Sequence, residues 1–343
     1  MKIQPKYLIK LNRLISNNRI KFFLVFLADL LGCRYTIVRF DPALACNLRC
    51  QVCYFSDPQW RKQNPPTVFS DDDILKISKY FFPTALQLYI GCGTEPTIYK
   101  NYTNIIKIAK NYKVPFISLI SNGQLINKLH LNQFIEYGLD ELTISTHGVK
   151  SSTYETLMRG ASYQHFIELL EAIDEIKRDN NSNKPLLRIN YTVTPDNLIE
   201  LNGFFEAYGR FNINTIQLRP VFDWCINSIT TEYRTHDLMP FINEYNKIVS
   251  QFIVICKERN ISLFYNVIDP TYAKDNAFAP VYNEGVIRLI NPRKVWLEEF
   301  DWKNESYDQF KRRIGFRQKM LEYAVGKRKI EYQKTSSVLS EVL

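Results

Sequence analysis

The sequence predicts an α/β fold, a partial (β/α)6 TIM-like barrel with an N-terminal helical extension and a C-terminal α+β cap. Three observations predict it. From Tyr35 onward, short apolar and β-branched runs alternate with helical stretches, as parallel strands joined by crossover helices require. Cap and stop signals fall between the runs. Six such units can be read, fewer than the eight of a closed barrel, and polar residues cluster just after the strand ends, where such folds gather their chemistry.

Residues 1–34 form the N-terminal extension, read as two helices broken near Asn17 and Asn18. The apolar run from Phe22 to Leu31 contains Asp29 and falls short of the roughly 20 apolar residues a spanning helix needs. It also lacks the small-residue cleavage pattern of a signal peptide. The second helix is therefore expected to pack on the body of the protein. A peripheral, interfacial membrane contact is the alternative, because Lys2, Lys6, Lys10, Arg13, Arg19 and Lys21 stand beside apolar residues.

Residues 35–236 form the core. Its strands are "YTIVRF" (35–40), "LQLYI" (86–90), "FISLI" (116–120), "ELTIS" (141–145), "LLRINYTV" (186–193) and "TIQLRPV" (215–221). Helices are opened by "SDDD" (70–73), "NYTN" (101–104) and "SSTYE" (151–155), where Ser or Asp caps the first turn and early negative charge suits the helix dipole. Pro83 and Pro115 precede the second and third strands, and "NNSNKP" (180–185) separates a long helix from the fifth. Residues 237–343 change pattern: a long helix, a strand "ISLFYNV" (261–267), a hairpin around 286–300 and a helix near 306–325. This region is read as a substrate-binding or barrel-closing cap.

Composition bounds the function. The chain has 343 residues, 45% hydrophobic and 23% charged, which is ordinary globular usage rather than disorder. A net charge of +9 suits an anionic partner, but no nucleic-acid motif accompanies it, so nucleic-acid binding is not expected. Seven cysteines, an odd number with three crowded together, do not form a secreted disulfide framework and point to a reducing cytoplasm.

The crowded cysteines are Cys46, Cys50 and Cys53, in "ACNLRCQVCYF" directly after the first strand. Converging thiolates select zinc or an iron–sulfur cluster. Structural zinc takes four protein ligands, and no second Cys-x2-Cys or His-x3-His follows. A cubane held by three cysteines would leave one iron open to an outside ligand.

"CNLRCQVC" resembles the cluster loop of radical S-adenosylmethionine (SAM) enzymes. The resemblance implies that Cys46, Cys50 and Cys53 bind a [4Fe–4S] cluster and that the amino and carboxylate groups of SAM chelate the fourth iron. "GCGTEP" (91–96) is similar to the family's Gly-Gly-Glu-Pro turn, with Thr94 in place of the second glycine. By resemblance, Gly93, Thr94 and Glu95 sit near the methionine ammonium. "SNG" (121–123) then supplies Ser121 and Asn122 to a ribose hydroxyl, and Ser145 and Arg159 contact the SAM carboxylate. His147 stands where many relatives have Asp, and Val52 where many have an aromatic near adenine. Cys225, after the sixth strand, is a candidate hydrogen-atom donor to a substrate radical, with a buried inert cysteine as the plainer reading.

The implied mechanism is one-electron reduction of the cluster, cleavage of SAM to methionine and a 5′-deoxyadenosyl radical, and hydrogen abstraction from a substrate. An electron donor such as flavodoxin or ferredoxin is implied with it. Only Cys225 and Cys256 lie beyond Cys92, so one cluster per chain is expected. Three functions are left open: action on a small molecule or sugar-like metabolite, epimerisation or cross-linking of a ribosomal peptide, and a non-catalytic zinc-binding barrel.

Overall fold

The structure, a computed structural model, describes residues 14–221, 237–268, 274–276, 279–335 and 337–342. The first of the two expected N-terminal helices and Cys225 lie outside the described residues. In chain order the elements are α1 Asn18–Leu30, β1 Thr36–Phe40, β2 Ala43–Leu44, α2 Pro58–Gln63, β3 Thr67–Val68, α3 Asp71–Phe81 and β4 Ala85–Ile90. There follow α4 Tyr102–Asn111, β5 Phe116–Ser121, α5 Lys128–Glu136, β6 Glu141–Thr146, α6 Ser151–Leu157, α7 Tyr163–Asp179, β7 Leu186–Val193, α8 Phe204–Tyr208 and β8 Ile213–Pro220. The last are α9 Ile242–Glu258, β9 Ser262–Ile268, β10 Lys274–Asn276, β11 Ile287–Asn291, β12 Lys294–Val295, α10 Tyr307–Arg313, α11 Phe316–Ala324, β13 Gln333–Thr335 and β14 Ser337–Val342.

One open sheet dominates, in the order β12-β11-β1-β4-β5-β6-β7-β8-β9-β14. The six expected strands are adjacent and parallel, and two strands from the C-terminal region extend them, β9 parallel to β8 and β11 parallel to β1. Antiparallel β12 and β14 finish the edges.

Alternation along the strands gives the sheet two unlike faces. Leu88, Ile90, Ile117, Leu119, Leu142, Ile144, Leu187, Ile189, Ile216 and Leu218 are buried and alternate with more polar positions. Parallel strands covered by helices on both faces read as near-continuous apolar runs. Here the second face is polar. Ser118 donates to Glu141 Oε1 (3.1 Å), Arg188 bonds Glu141 Oε2 (2.9 Å), and Arg188 also reaches Gln217 Oε1 (3.3 Å). This chain crosses β5, β6, β7 and β8, and marks the concave inner side of a half-barrel.

The expected caps hold in part. Ser70 and Asp73 form a reciprocal capping box on α3. Asn101 stands at the start of α4 without capping it, its amide donating instead to Asp71. The expected helix near 306–325 is two helices, because Gly315 at φ +60° breaks it.

The N- and C-terminal regions are tied together. Phe22 of α1 stacks on Tyr323 of α11 at 4.3 Å between ring centroids. Buried Asp29 accepts from Tyr35 (2.7 Å), Lys311 (2.6 Å) and Arg317 (2.7 Å). Fully buried Arg288 of β11 donates to Tyr307 (2.7 Å) and lies 4.1 Å from the centroid of the Trp296 ring.

Candidate active site

The three cysteines sit on the loop that follows β1 and β2 at the carboxyl edge of the parallel sheet. Pairing of β2 with β3 closes that loop at its base. Arg49 braces it from within, donating to the carbonyls of Cys46 (2.8 Å) and Leu48 (2.7 Å). The Cys53 amide bonds the Cys50 carbonyl (3.0 Å), and a short helical turn, Tyr54–Ser56, begins there. The amides of Arg49 and Gln51 donate to the carbonyls of Arg159 and Leu157, both at 2.9 Å, fastening the loop to the end of α6.

Burial pushes the Cys46 thiol up to about 12, with Glu95 and Cys53 raising it further and the Leu48 amide opposing. Burial also raises Cys50 and Cys53, and at Cys50 the charges of the other two add to the effect. Three thiols whose burial disfavours their thiolates make a site where a bound metal centre would supply the offsetting charge. Among the described residues no three His, Cys, Asp or Glu side chains converge on one point as a single ion demands. A zinc ion, with Zn–S bonds of about 2.3 Å, draws its sulfurs to within about 4 Å of one another. In a cubane the cysteines hold different irons, and three thiols on one loop are a donor set of the right chemistry for it.

The turn after β4 lies beside this loop. Gly91 has φ +85°, and a Cβ there would meet the Ile120 carbonyl oxygen at 2.3 Å, so β4 and β5 approach too closely for any other residue. The Gly93 amide donates to Asp41 (3.1 Å), and the Tyr54 hydroxyl donates to the Gly93 carbonyl. Burial raises the Asp41 carboxyl, opposed by the Gly93 and Cys92 amides and by the Thr94 hydroxyl. Thr94 is not among the residues with positive φ, so its side chain is carried without left-handed strain.

Glu95 joins three loops. It is 2% exposed; Oε1 accepts from Ser121 Oγ (2.8 Å), Thr97 Oγ1 (2.7 Å) and the Thr97 amide (3.2 Å), and Oε2 accepts from the Asn122 amide (2.8 Å). The Glu95 amide in turn bonds the Ala45 carbonyl (3.0 Å), one residue before the first cysteine. Asn122 donates to Asn47 Oδ1 (2.9 Å) and approaches Cys46 Sγ (3.8 Å). Cys46, Glu95, Ser121 and Asn122, far apart in sequence, thus share one rim.

Ser145 and His147 lie farther along that rim, on and just after β6. Ser145 pairs in register with Asn190 of β7. Burial, with the charge of Arg219 adding to it, pushes the His147 imidazole down to about 4, so it is neutral near pH 7. Arg159 follows α6, next to the cysteine loop, with its side chain exposed.

Several residues that sequence reasoning passed over complete the mouth. Arg39 of β1 lies 5.7 Å from the ring centroid of Tyr282, and Arg219 follows Gln217 on the same side of β8. The charges of both arginines act on Cys92, whose thiol burial pushes up to about 12. Asp41 and Tyr54 flank the cysteine loop, and their signal was adjacency to it. Tyr282 comes from the C-terminal region, and nothing local in sequence connects it to the site.

An open parallel half-barrel with a three-thiol loop at the carboxyl edge of its sheet defines a cofactor-dependent α/β enzyme. Residues 42–200 match the model of the radical SAM superfamily. The match covers just under half of the chain and supports a member of that superfamily, whose cofactors are a [4Fe–4S] cluster and SAM. It is 22% identical over 206 residues to a probable GTP 3′,8-cyclase of Saccharolobus solfataricus, covering 60% of this chain and 63% of the relative. The chain therefore spans less than two thirds of that curated relative. SuiB of Streptococcus suis bound to S-adenosylmethionine superposes with a TM-score of 0.57 at 16% identity, over 85% of this chain and 67% of the other. SuiB bound to its precursor peptide SuiA gives 0.55 at 16% identity, over 76% and 58%. These two likenesses concern the fold.

Proposed function

We propose that this protein is a radical SAM enzyme that acts on a small, polar, anion-bearing substrate held inside the half-barrel. The single observation that carries the reading is the rim that Glu95 assembles, where the cysteine loop and the turns after β4 and β5 meet. When bound, the cluster and SAM supply a 5′-deoxyadenosyl radical able to take a hydrogen atom from carbon, with the electron coming from a donor such as flavodoxin or ferredoxin.

The residues of the chain position and shield. Cys46, Cys50 and Cys53 hold the cluster, and Arg49 keeps their loop in shape. Gly93 and Thr94 turn backbone acceptors toward the SAM ammonium. Glu95, whose oxygens are engaged by protein donors, sets the position of that turn. Asn122 and Ser121 order the ribose side of the rim, and Ser145 and Arg159 receive the SAM carboxylate. The ion-paired layer of Glu141 and Arg188 closes the floor of the lumen and keeps bulk water from the reacting carbon.

Arg39 and Arg219 support an anionic substrate, since guanidinium groups bind phosphate and carboxylate through paired hydrogen bonds. GTP, the substrate in the name of the cyclase relative, is the first candidate to test. The SuiB–SuiA complex makes a peptide the second.

The test is anaerobic reconstitution followed by assay of 5′-deoxyadenosine from SAM. The wild-type protein is expected to bind about four irons, as one cubane, and to cleave SAM. Each of Cys46→Ala, Cys50→Ala and Cys53→Ala is expected to lose both. Tightly bound zinc with no SAM cleavage would overturn the reading.

A further inference from the structure

Helix α1 is apolar on two opposite sides, and among the described residues only one of them is packed. Asn18, Phe22, Val25 and Asp29 face the body of the protein and are buried. At 100° per residue, Ile20, Phe23, Leu24, Leu27 and Leu31 fall on the other side. Ile20 is 50% exposed, Phe23 43%, Leu24 45% and Leu31 72%. Such a stripe, at spacings of three and four over three turns, is the pattern of a helix with a second partner.

The charge around the stripe identifies the partner. Arg19 lies at the start of α1 against Gly326, where a Cβ would come within 2.9 Å of its guanidinium carbon. Lys327, Arg328 and Lys329 follow, and together with Arg19 and Tyr332 they line an open cleft of about 670 Å³. Arg328 is ion-paired with Glu322 (3.2 Å), while Lys327 and Lys329 are exposed. The only acid on α1 is Asp29, buried and bonded to Lys311 and Arg317, so two copies meeting across this helix would offer the cations no acidic partner from it.

From the apolar stripe and its cationic end, we propose that α1 docks the protein on the surface of an anionic phospholipid bilayer. Phe23, Leu24 and Leu31 would enter the acyl boundary, and Arg19, Lys327 and Lys329 would meet the headgroup phosphates. The helix lies in the interface rather than crossing it; among the described residues no helix is long and apolar enough to span a membrane.

The experiment is co-sedimentation of the full chain with vesicles of phosphatidylcholine, with and without about one third phosphatidylglycerol. Binding is expected only with phosphatidylglycerol and is expected to weaken with salt. The double variant Phe23→Ser/Leu24→Ser should lose it. Lys327→Ala and Lys329→Ala should each weaken it about five-fold, as expected for one cation near an anionic surface. Leu129→Ser, at a still more exposed leucine on α5, should bind like wild type, and circular dichroism checks that every variant is folded. No binding to phosphatidylglycerol vesicles overturns the proposal, as does an equal loss in Leu129→Ser. A dimer that becomes monomeric in Phe23→Ser/Leu24→Ser, without vesicle binding, would also overturn it and assign the stripe to a second copy.

Discussion

Glu95 carries more of the site than its place in a familiar turn suggests. Every group that touches its carboxylate is a donor: two hydroxyls and two backbone amides. Glu95→Gln keeps the shape but must point an NH2 at one of those donors, leaving a buried clash of like dipoles. It is expected to cost about 1–3 kcal/mol in urea unfolding and to weaken SAM binding through misplacement of three loops. Unchanged stability would refute the assignment. His147 gives a pH signature. Its folded pKa of about 4 lies below the ordinary value near 6.5, so the unfolded chain takes up the proton first as pH falls. Stability from this residue is fully present above about pH 6.5 and is lost toward pH 4, by about 3 kcal/mol. His147→Asn should therefore lose less stability than wild type between pH 7 and pH 4.5, compared by denaturant unfolding. Residue types at the strand ends were legible in the sequence, including all three thiols. Which side chains face a ligand and which face one another was not, because Glu95, Ser121 and Asn122 find their partners across the sheet.

At the scale of elements, Gly91 and α1 are the sensitive points. Gly91→Ala combines a left-handed φ with a carbonyl at 2.3 Å, and should destabilise the fold by at least about 2 kcal/mol, read as a lowered denaturation midpoint. Burial raises the Asp29 carboxyl, but hydrogen bonds from Lys311, Arg317 and Tyr35 outweigh it and hold the group below the usual carboxylate range. Asp29→Asn breaks that buried network and is expected to cost about 3 kcal/mol, with protection of α1 amides from hydrogen exchange lost first. Equal exchange protection in variant and wild type would count against this role. Strand positions were readable to within a residue or two because each is a short run bounded by turn chemistry. Both readings of α1 have a physical basis, since one of its faces is core and the other is exposed among the described residues. Its packed face depends on residues near 320, which no local periodicity could identify.

At the scale of the whole molecule, the C-terminal region cannot be separated from the core. It contributes β9 and β11 to the two flanks of the same sheet, Tyr282 to the mouth of the lumen, and the cations that hold Asp29. Removing residues 237–343 exposes β1 and β8 as edges and leaves Asp29 buried without its partners. The truncated chain is expected to aggregate and to show no cooperative thermal transition; a monomeric fragment with a sharp transition would argue for an autonomous core. The half-barrel itself was legible, because the order of alternating runs survives in any reading. The pairing of the last strands was not, since parallel neighbours are chosen by the assembled sheet rather than by the segment. The place of β1 between β4 and β11 bears on the timing of biogenesis. The strand leading into the cysteine loop gains its second neighbour only once β11 has been synthesised, so the footing of that loop is among the last parts of the sheet to be completed.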